Sequence, residues 1–357
     1  MFPKLRISLP AIAHNVREIV SRAEGVGVEV VGVVKGCSAQ PEVASVFLEN
    51  GFRWIGDSRI LNFKRLIDAG IRSDFLLLRI PMLSELKDVV SMTTATLVSE
   101  VATIKRLSEV ALSMGKVYDV IVMVDVGDLR EGVLPKDIED FMKEVRSYRG
   151  VRIAGVGTNL NCYGAVLPTV ENLSLLVDVG NRARRIVGGD EFVISAGGTG
   201  TLKLLEDGTL PEGVNQLRIG EAVLLGVDTP HQRKVPYLRQ DAFSLMAEVV
   251  EVKVKPSVPI GKQSVDAFGK LPHFEDRGLR RRAIVAIGRQ DVIVDLLYPV
   301  DEGIEVLGAS SDHTILDVTD AHREISVGDI VEFNVGYGAM LLATTSPYVE
   351  KEIVKTG

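Results

Sequence analysis

The sequence predicts an α/β fold: a (β/α)8 barrel of the TIM type, followed by a smaller, mainly antiparallel β domain. Short apolar, β-branched runs recur eight times before Gly226, with segments of helical periodicity between them. Beyond Gly226 the texture changes to short alternating runs separated by Gly, Asp and Pro.

The eight runs cover residues 28–34, 53–56, 74–78, 95–98, 118–124, 151–156, 192–195 and 216–225. Most are nearly all apolar, as strands buried on both faces of a parallel sheet should be. Helices are read over 12–23, 100–114, 135–147 and 167–186. In the first, Ile12, Val16, Ile19 and Val20 recur at close to a 3.6 period. An open, doubly wound sheet is the competing arrangement. On the barrel reading, residues 1–226 form the barrel, with the first few open to joining the β domain. Residues 227–241, which hold Pro230 and Pro236 among charged and polar residues, read as a linker. The β domain spans 242–357, with strands near 247–255, 281–287, 304–307, 314–318 and 330–333.

Composition narrows the function. A formal net charge of −7 disfavours binding to nucleic acid or an anionic membrane through bulk electrostatics. No run approaches the ~18 apolar residues that a spanning helix needs. Two cysteines, Cys37 and Cys162, make no disulfide framework and fit a reducing compartment, so a cytoplasmic protein is expected. No metal is expected in the site.

Barrel enzymes carry their chemistry at the C-terminal ends of the strands. The first strand ends Val33-Val34-Lys35-Gly36. A lysine closing an apolar strand is either an amine held in a partly dry pocket, ready to form an imine, or a side chain that has reached solvent. The seventh ends Ser195-Ala196-Gly197-Gly198-Thr199-Gly200-Thr201, before a helix-like Leu202-Lys203-Leu204-Leu205. Its glycines, hydroxyls and helix-start amides suit an anion; an ordinary tight turn is the alternative. The eighth holds Leu217-Arg218-Ile219-Gly220-Glu221, and loops seven and eight are the usual phosphate site of such barrels. Arg218, inside an apolar strand, needs a partner, such as Glu221 or another barrel acid. Arg130, after the fifth strand, is either a carboxylate fork or part of a surface charge cluster. Gly157-Thr158-Asn159-Leu160-Asn161-Cys162-Tyr163-Gly164, after the sixth, suits a ring-contacting loop. Both cysteines read as buried thiols in preference to nucleophiles.

Val33-Val34-Lys35, Asp125-Val126-Gly127, Arg130-Glu131-Gly132, Gly157-Thr158-Asn159, Ser195 to Thr199 and Arg218-Ile219-Gly220 resemble, in order and spacing, the alanine-racemase-like (fold type III) pyridoxal-phosphate enzymes. The resemblance covers essentially the whole chain. It is closer to the ornithine racemase branch through Gly127-Asp128-Leu129-Arg130-Glu131-Gly132, Gly157 to Gly164, Asn215 to Ala222 and Thr345-Ser346-Pro347-Tyr348-Val349. It implies pyridoxal 5'-phosphate as cofactor and Lys35 as its covalent lysine. It implies Arg218 at the pyridine nitrogen, a phosphate held by Thr199 and the backbone at Gly198, Gly220 and Glu221 with Tyr337 reaching it, and Ser195 among the cofactor-binding residues. Arg130 would lie near the phenolic oxygen and substrate carboxylate, and Asn159 against the ring. It further implies a head-to-tail homodimer, each site completed by the partner's β domain, and racemisation of a small amino-acid substrate by proton exchange on both faces of Cα.

One feature of alanine racemases is missing. Where they place a tyrosine from the β domain, this chain reads Gly261-Lys262-Gln263-Ser264-Val265-Asp266. Ser264 is the first candidate for the second face, followed by Asp266 and Cys162. The branch points to ornithine, or lysine, as substrate, and Asp266, Asp291 and Asp312 are the acids available for its cationic tip. A decarboxylase, a non-catalytic cofactor carrier and a phosphosugar barrel are the rival readings. Carriers lack the β domain, and the decarboxylases use a later cysteine, absent here after Cys162.

Overall fold

Eight parallel strands close on themselves: Glu29–Val33, Trp54–Asp57, Asp74–Leu77, Ala95–Val98, Tyr118–Met123, Val151–Thr158, Val193–Ala196 and Gln216–Ile219. The last pairs with the first, in register Gly32↔Ile219. This computed structural model describes residues 1–356. The barrel is a packed core: Val31, Leu76, Ala95, Leu97, Ile121 and Met123 form one buried cluster, with Trp54, Leu78, Ile80 and Val193 against it. Burial of both strand faces accounts for the unbroken apolar runs.

Helices Leu9–Glu24, Pro41–Glu49, Ile60–Asp68, Leu86–Met92, Val101–Ser113, Ile138–Val145 and Val170–Val187 follow the successive connections. Val170–Val187 starts at a capping box. Asn172 N donates to Thr169 Oγ1 at 3.3 Å, and Thr169 N donates to Asn172 Oδ1 at 2.9 Å, pairing two amides that a helix start leaves open. None of the helices among the described residues is long and apolar enough to cross a membrane.

The run 216–225 is not one strand. It ends at Ile219, Gly220 breaks the extended backbone, and Glu221–Leu225 is helical. Apolar composition does not separate a buried strand from a buried short helix, so the run reads as continuous. Gly155 shows how tightly the barrel closes. A Cβ there would meet Val193 O at 2.2 Å and Val193 Cβ at 2.7 Å on the neighbouring strand. Gly155→Ala must force the two strands apart and is expected to cost about 2–3 kcal/mol. A urea titration of the variant should show a lower midpoint at unchanged slope.

The chain divides into two compact units, Ala11–Gln240 and Met1–Pro10 with Asp241–Gly357. Residues 227–240 thus belong to the barrel unit. Val227–Asp228 pairs with Arg233–Lys234, and Val235 and Leu238 are buried. The charges that suggest a linker are spent locally. Asp228 takes His231 at 3.0 Å and Arg233 at 2.9 Å, and Arg233 also reaches Glu206. Asn15, on the first helix, clamps Arg239 by accepting from its amide at 2.7 Å and donating to its carbonyl at 2.9 Å.

The second unit is an eight-stranded sheet built on the long strand Phe243–Pro256. Its neighbours Leu279–Val285 and Ile330–Val335 run antiparallel to it. The amino-terminal strand Lys4–Ser8 joins this sheet, antiparallel to Phe243–Pro256 and parallel to Glu350–Val354. Its five residues alternate, with Leu5 and Ile7 buried and Lys4, Arg6 and Ser8 half-buried. Tyr337–Thr345 is a helix in this unit.

Candidate active site

Lys35 stands at the C-terminal rim of the first barrel strand. Val34 N donates to Gly56 O at 3.0 Å, holding that rim against the second strand. The chain then turns sharply through Lys35–Cys37, with Ser38 and Ala39 in the left-handed region at φ 51° and 48°. Such backbone is unfavourable away from glycine and clusters at functional sites. Cys37 is buried under this turn, its thiol donating to Val34 O at 3.2 Å. Burial pushes that thiol up to about 12, so it is an inert structural group. Cys162, in contrast to the expectation of a buried thiol, is exposed, in a run of exposed loop residues from 162 to 165.

Next to the first strand around the barrel mouth, the eighth strand and its neighbour the seventh build a cup. Thr199 Oγ1 accepts from Ala222 N at 3.2 Å, tying the loop after strand seven to the helix after strand eight. Thr201 Oγ1 closes the same loop on Ala196 O at 2.6 Å. A Cβ at Gly220 would stand 3.0 Å from Val33 Cβ and 3.1 Å from Val33 O, so the eighth strand packs closely on the first there. The amides of Gly198, Gly220 and Glu221 have no carbonyl acceptor among the described residues. Glu221 is half-buried, its carboxyl raised by burial, and it accepts from Thr229 Oγ1 at 2.6 Å. It is therefore not the partner of Arg218.

Arg218 is buried among neutral acceptors. Its Nη1 reaches Ser195 O at 3.3 Å and Ser195 Oγ; its Nη2 reaches Thr158 O and Asn159 Oδ1, the latter at 2.8 Å. Ser195 is itself fixed by donating to Gln216 Oε1 at 2.8 Å, so it lies beneath the guanidinium. Burial lowers Arg218 to about 10, still cationic at neutral pH. Four of its five N–H donors are taken; Nε–H has no protein acceptor among the described residues. Asn159 relays the network outward by donating to Glu131, which in turn pairs with Arg130. The hydrogen bond from Arg130 to Glu131 holds the guanidinium above its usual value. Arg130 thus forks onto its own neighbour, and its side chain is 38% exposed at the rim.

The sequence reading missed Glu131, Asp128 and Asp57. Asp128 is buried and accepts from the amides of Tyr163, Gly164 and Val166 at 3.1, 3.2 and 3.4 Å, which locks the loop carrying Asn159 and Cys162 to the loop carrying Arg130. Its position amid Gly127-Asp128-Leu129-Arg130-Glu131-Gly132 is the only signal the sequence offers. Asp57 closes the second strand and is fully buried.

Lys35, Asn159, Ser195, Gly198, Thr199, Arg218, Gly220, Glu221 and Arg130 all lie in the barrel unit, after the C-terminal ends of its strands or within them. Ser264, Asp266 and Tyr337 belong to the other unit. Ser264 is exposed in a loop. Asp266 folds its own turn, accepting from Phe268 N and Lys270 N at 2.9 Å each. Those amides hold its carboxyl below the usual range, which makes it a poor acid at neutral pH. Asp291 is nearly buried and takes Ser346 Oγ at 2.6 Å, and Asp312 pairs with His313.

A profile of the alanine racemase N-terminal domain matches residues 7–227. A lysine racemase of Thermotoga maritima is 44% identical over 351 residues, covering 98% of each chain. An ornithine racemase of Acetoanaerobium sticklandii is 41% identical over 355 residues, covering 99% of this chain and all of the relative. Among solved structures, the alanine racemase from Bartonella henselae with covalently bound pyridoxal phosphate superposes with a TM-score of 0.75 at 18% identity, covering 99% of this chain and 100% of the other. With a family profile over more than half its length and relatives above 40% identity across nearly all of it, the chain belongs to the alanine racemase family.

Proposed function

We propose that this enzyme is a pyridoxal-phosphate-dependent racemase of a basic amino acid, ornithine or lysine. One arrangement carries the reading: an amine, an unspent guanidinium donor and an anion cup share one rim of the barrel. The donor set suits this cofactor. The open amides at Gly198, Gly220 and Glu221, with Thr199 Oγ1, suit a phosphate. Arg218 Nε–H suits an acceptor nitrogen in an aromatic ring and, lacking any acceptor atom of its own, favours that nitrogen unprotonated. Lys35 Nζ suits covalent attachment to an aldehyde. When bound, the cofactor supplies a sink for the electron pair left at Cα.

The chain's own groups do the rest. Ser195 and Asn159 hold Arg218 in place, Asn159 would face the cofactor ring when it is bound, and Arg130 would orient the substrate carboxylate from the rim. Lys35 takes or returns the Cα proton on one face. On the other, Ser264 from the β unit of a second copy is the candidate, and Tyr337 is the tyrosine that would reach the phosphate. Asp266 shapes the loop more than it exchanges protons, and Cys162 stands behind both. That loop exposes Ile260 at 92% and Leu271 at 75%, apolar surface that a partner subunit would cover. A homodimer with shared sites in the cytoplasm completes the reading. The substrate class rests on the lysine and ornithine racemases that resemble the chain throughout their length.

The test uses purified protein loaded with the cofactor and given L-ornithine, L-lysine or L-alanine, followed by chiral chromatography and carbon dioxide detection. D-ornithine or D-lysine should accumulate, with alanine turned over at least tenfold more slowly. Carbon dioxide release without racemisation would make it a decarboxylase.

A further inference from the structure

Asp57 stands on the rim beside Lys35 and has no part in the mechanism above. The first two barrel strands pair Val33↔Gly56, so Lys35 and Asp57 leave adjacent strand ends. Asp57 Oδ1 accepts from Arg59 N and Asn62 Nδ2, each at 2.9 Å. Oδ2 is buried and has no hydrogen-bond partner among the described residues. Burial drives the carboxyl up to about 6, opposed by its hydrogen bonds and by the Lys35 charge. A buried carboxylate with one unpaired oxygen opposes folding, and an asparagine would keep both Oδ1 bonds without the charge. The charged or titratable groups on the surrounding elements are Lys35, Cys37, Arg59, Arg65 and, after the third strand, Arg79, which pairs with Glu85. Arg65 donates to Ser38 O, and Cys37 stays a thiol. Arg59 is exposed, and Arg79 keeps a buried Nε with no partner among the described residues; of these cations, Lys35 is the one whose charge pulls the Asp57 carboxyl down.

We propose that Asp57 is a positioning residue for Lys35: its Oδ2 holds Nζ whenever that amine is not covalently engaged, and exchanges a proton with it. This rests on Lys35 being the cofactor lysine. The exchange balances. An Nζ–H bond breaks and an Oδ2–H bond forms, giving a neutral amine and a neutral carboxylic acid; the reverse restores ammonium and carboxylate. Only the neutral amine has the lone pair that attacks an aldehyde. Nζ and Oδ2 are not hydrogen-bonded in this structure; the flexible lysine stem supplies the movement.

The experiment follows attachment of pyridoxal phosphate to the apoprotein by borohydride fixation, from pH 5 to 9. The wild type should attach more slowly as pH falls through about 6, where Asp57 is protonated and no longer takes the Nζ proton. In Asp57→Asn that inflection should vanish. The rate at pH 7 should fall at least tenfold, with equilibrium affinity for the cofactor within about threefold. Ionisation of Asp57 lowers stability as pH rises through about 6, so the apo variant should melt no lower than wild type at pH 8. Asn62→Ala removes a bond that favours the carboxylate, and should move the inflection to higher pH. An unchanged inflection in either variant overturns the proposal. Failure of the wild type to attach cofactor at all counts against Lys35 itself.

Discussion

Lys35→Ala is expected to lose racemase activity by roughly 10^3-fold or more, since a positioned acid–base group alone supplies about 10^2–10^4 and covalent tethering is lost with it. The fold should survive. The residue lies two positions past the end of the first strand, and the turn it opens is held by backbone bonds, among them Ser38 N to Lys35 O at 3.2 Å and Ala39 N to Val34 O at 3.0 Å. The cofactor should still bind through the cup and Arg218, but without a covalent link. Borohydride treatment and peptide mass spectrometry read this directly: wild type should carry the cofactor on the peptide containing Lys35, and the variant on none. Fixation at another lysine of the variant would show that the amine has been misassigned.

The second large effect is expected at Arg218. Arg218→Met removes four hydrogen bonds and leaves Ser195, Thr158 and Asn159 with buried acceptors unpaired. Each such loss costs about 1–3 kcal/mol, and the sum, partly relieved by packing of the apolar replacement, should be about 3–5 kcal/mol. At about 2–4 °C per kcal/mol, or less in a chain of this length, the apoprotein should melt roughly 6–10 °C lower. Arg218→Lys keeps the charge without the planar fork, so it should recover part of the stability. Its cofactor affinity should stay at least tenfold weaker, since a charge-assisted hydrogen bond is worth about 1.5–3 kcal/mol and about 1.4 kcal/mol is a factor of ten. Thermal melts of the apo forms and cofactor titrations separate the two effects. A Lys variant that binds as tightly as wild type would remove Arg218 Nε from the site.

The barrel was legible because its strands are buried on both faces and their apolar runs have nothing else to mean. Legibility failed where that logic is ambiguous. At Ala222-Val223-Leu224-Leu225 a short buried helix has the composition of a strand. At 227–240, prolines and charges look like a linker, yet the charges pair with one another on the barrel. Lys4–Ser8 alternates as a strand does, but the sheet it joins is set by strands from the far end of the sequence. The site shows the same division. Lys35, Thr199 and Arg218 stand out because polar groups close or interrupt apolar strands. Asp57 also closes a strand, but Asp57-Ser58 reads as turn chemistry, and its burial beside Lys35 exists only once two strands are paired. Glu131 looks like half of a surface charge cluster until Asn159 links it to Arg218.

The most direct test of the account is Cα proton exchange in deuterium oxide. The holoenzyme is incubated with L-ornithine or L-lysine, and deuterium at Cα of each enantiomer is followed by NMR and chiral separation. The account predicts that the D-enantiomer forms fully deuterated at Cα, that the residual L-enantiomer gains deuterium as racemisation proceeds, and that Lys35→Ala suppresses exchange. Retention of the Cα proton in both enantiomers, or exchange undiminished in Lys35→Ala, would contradict it.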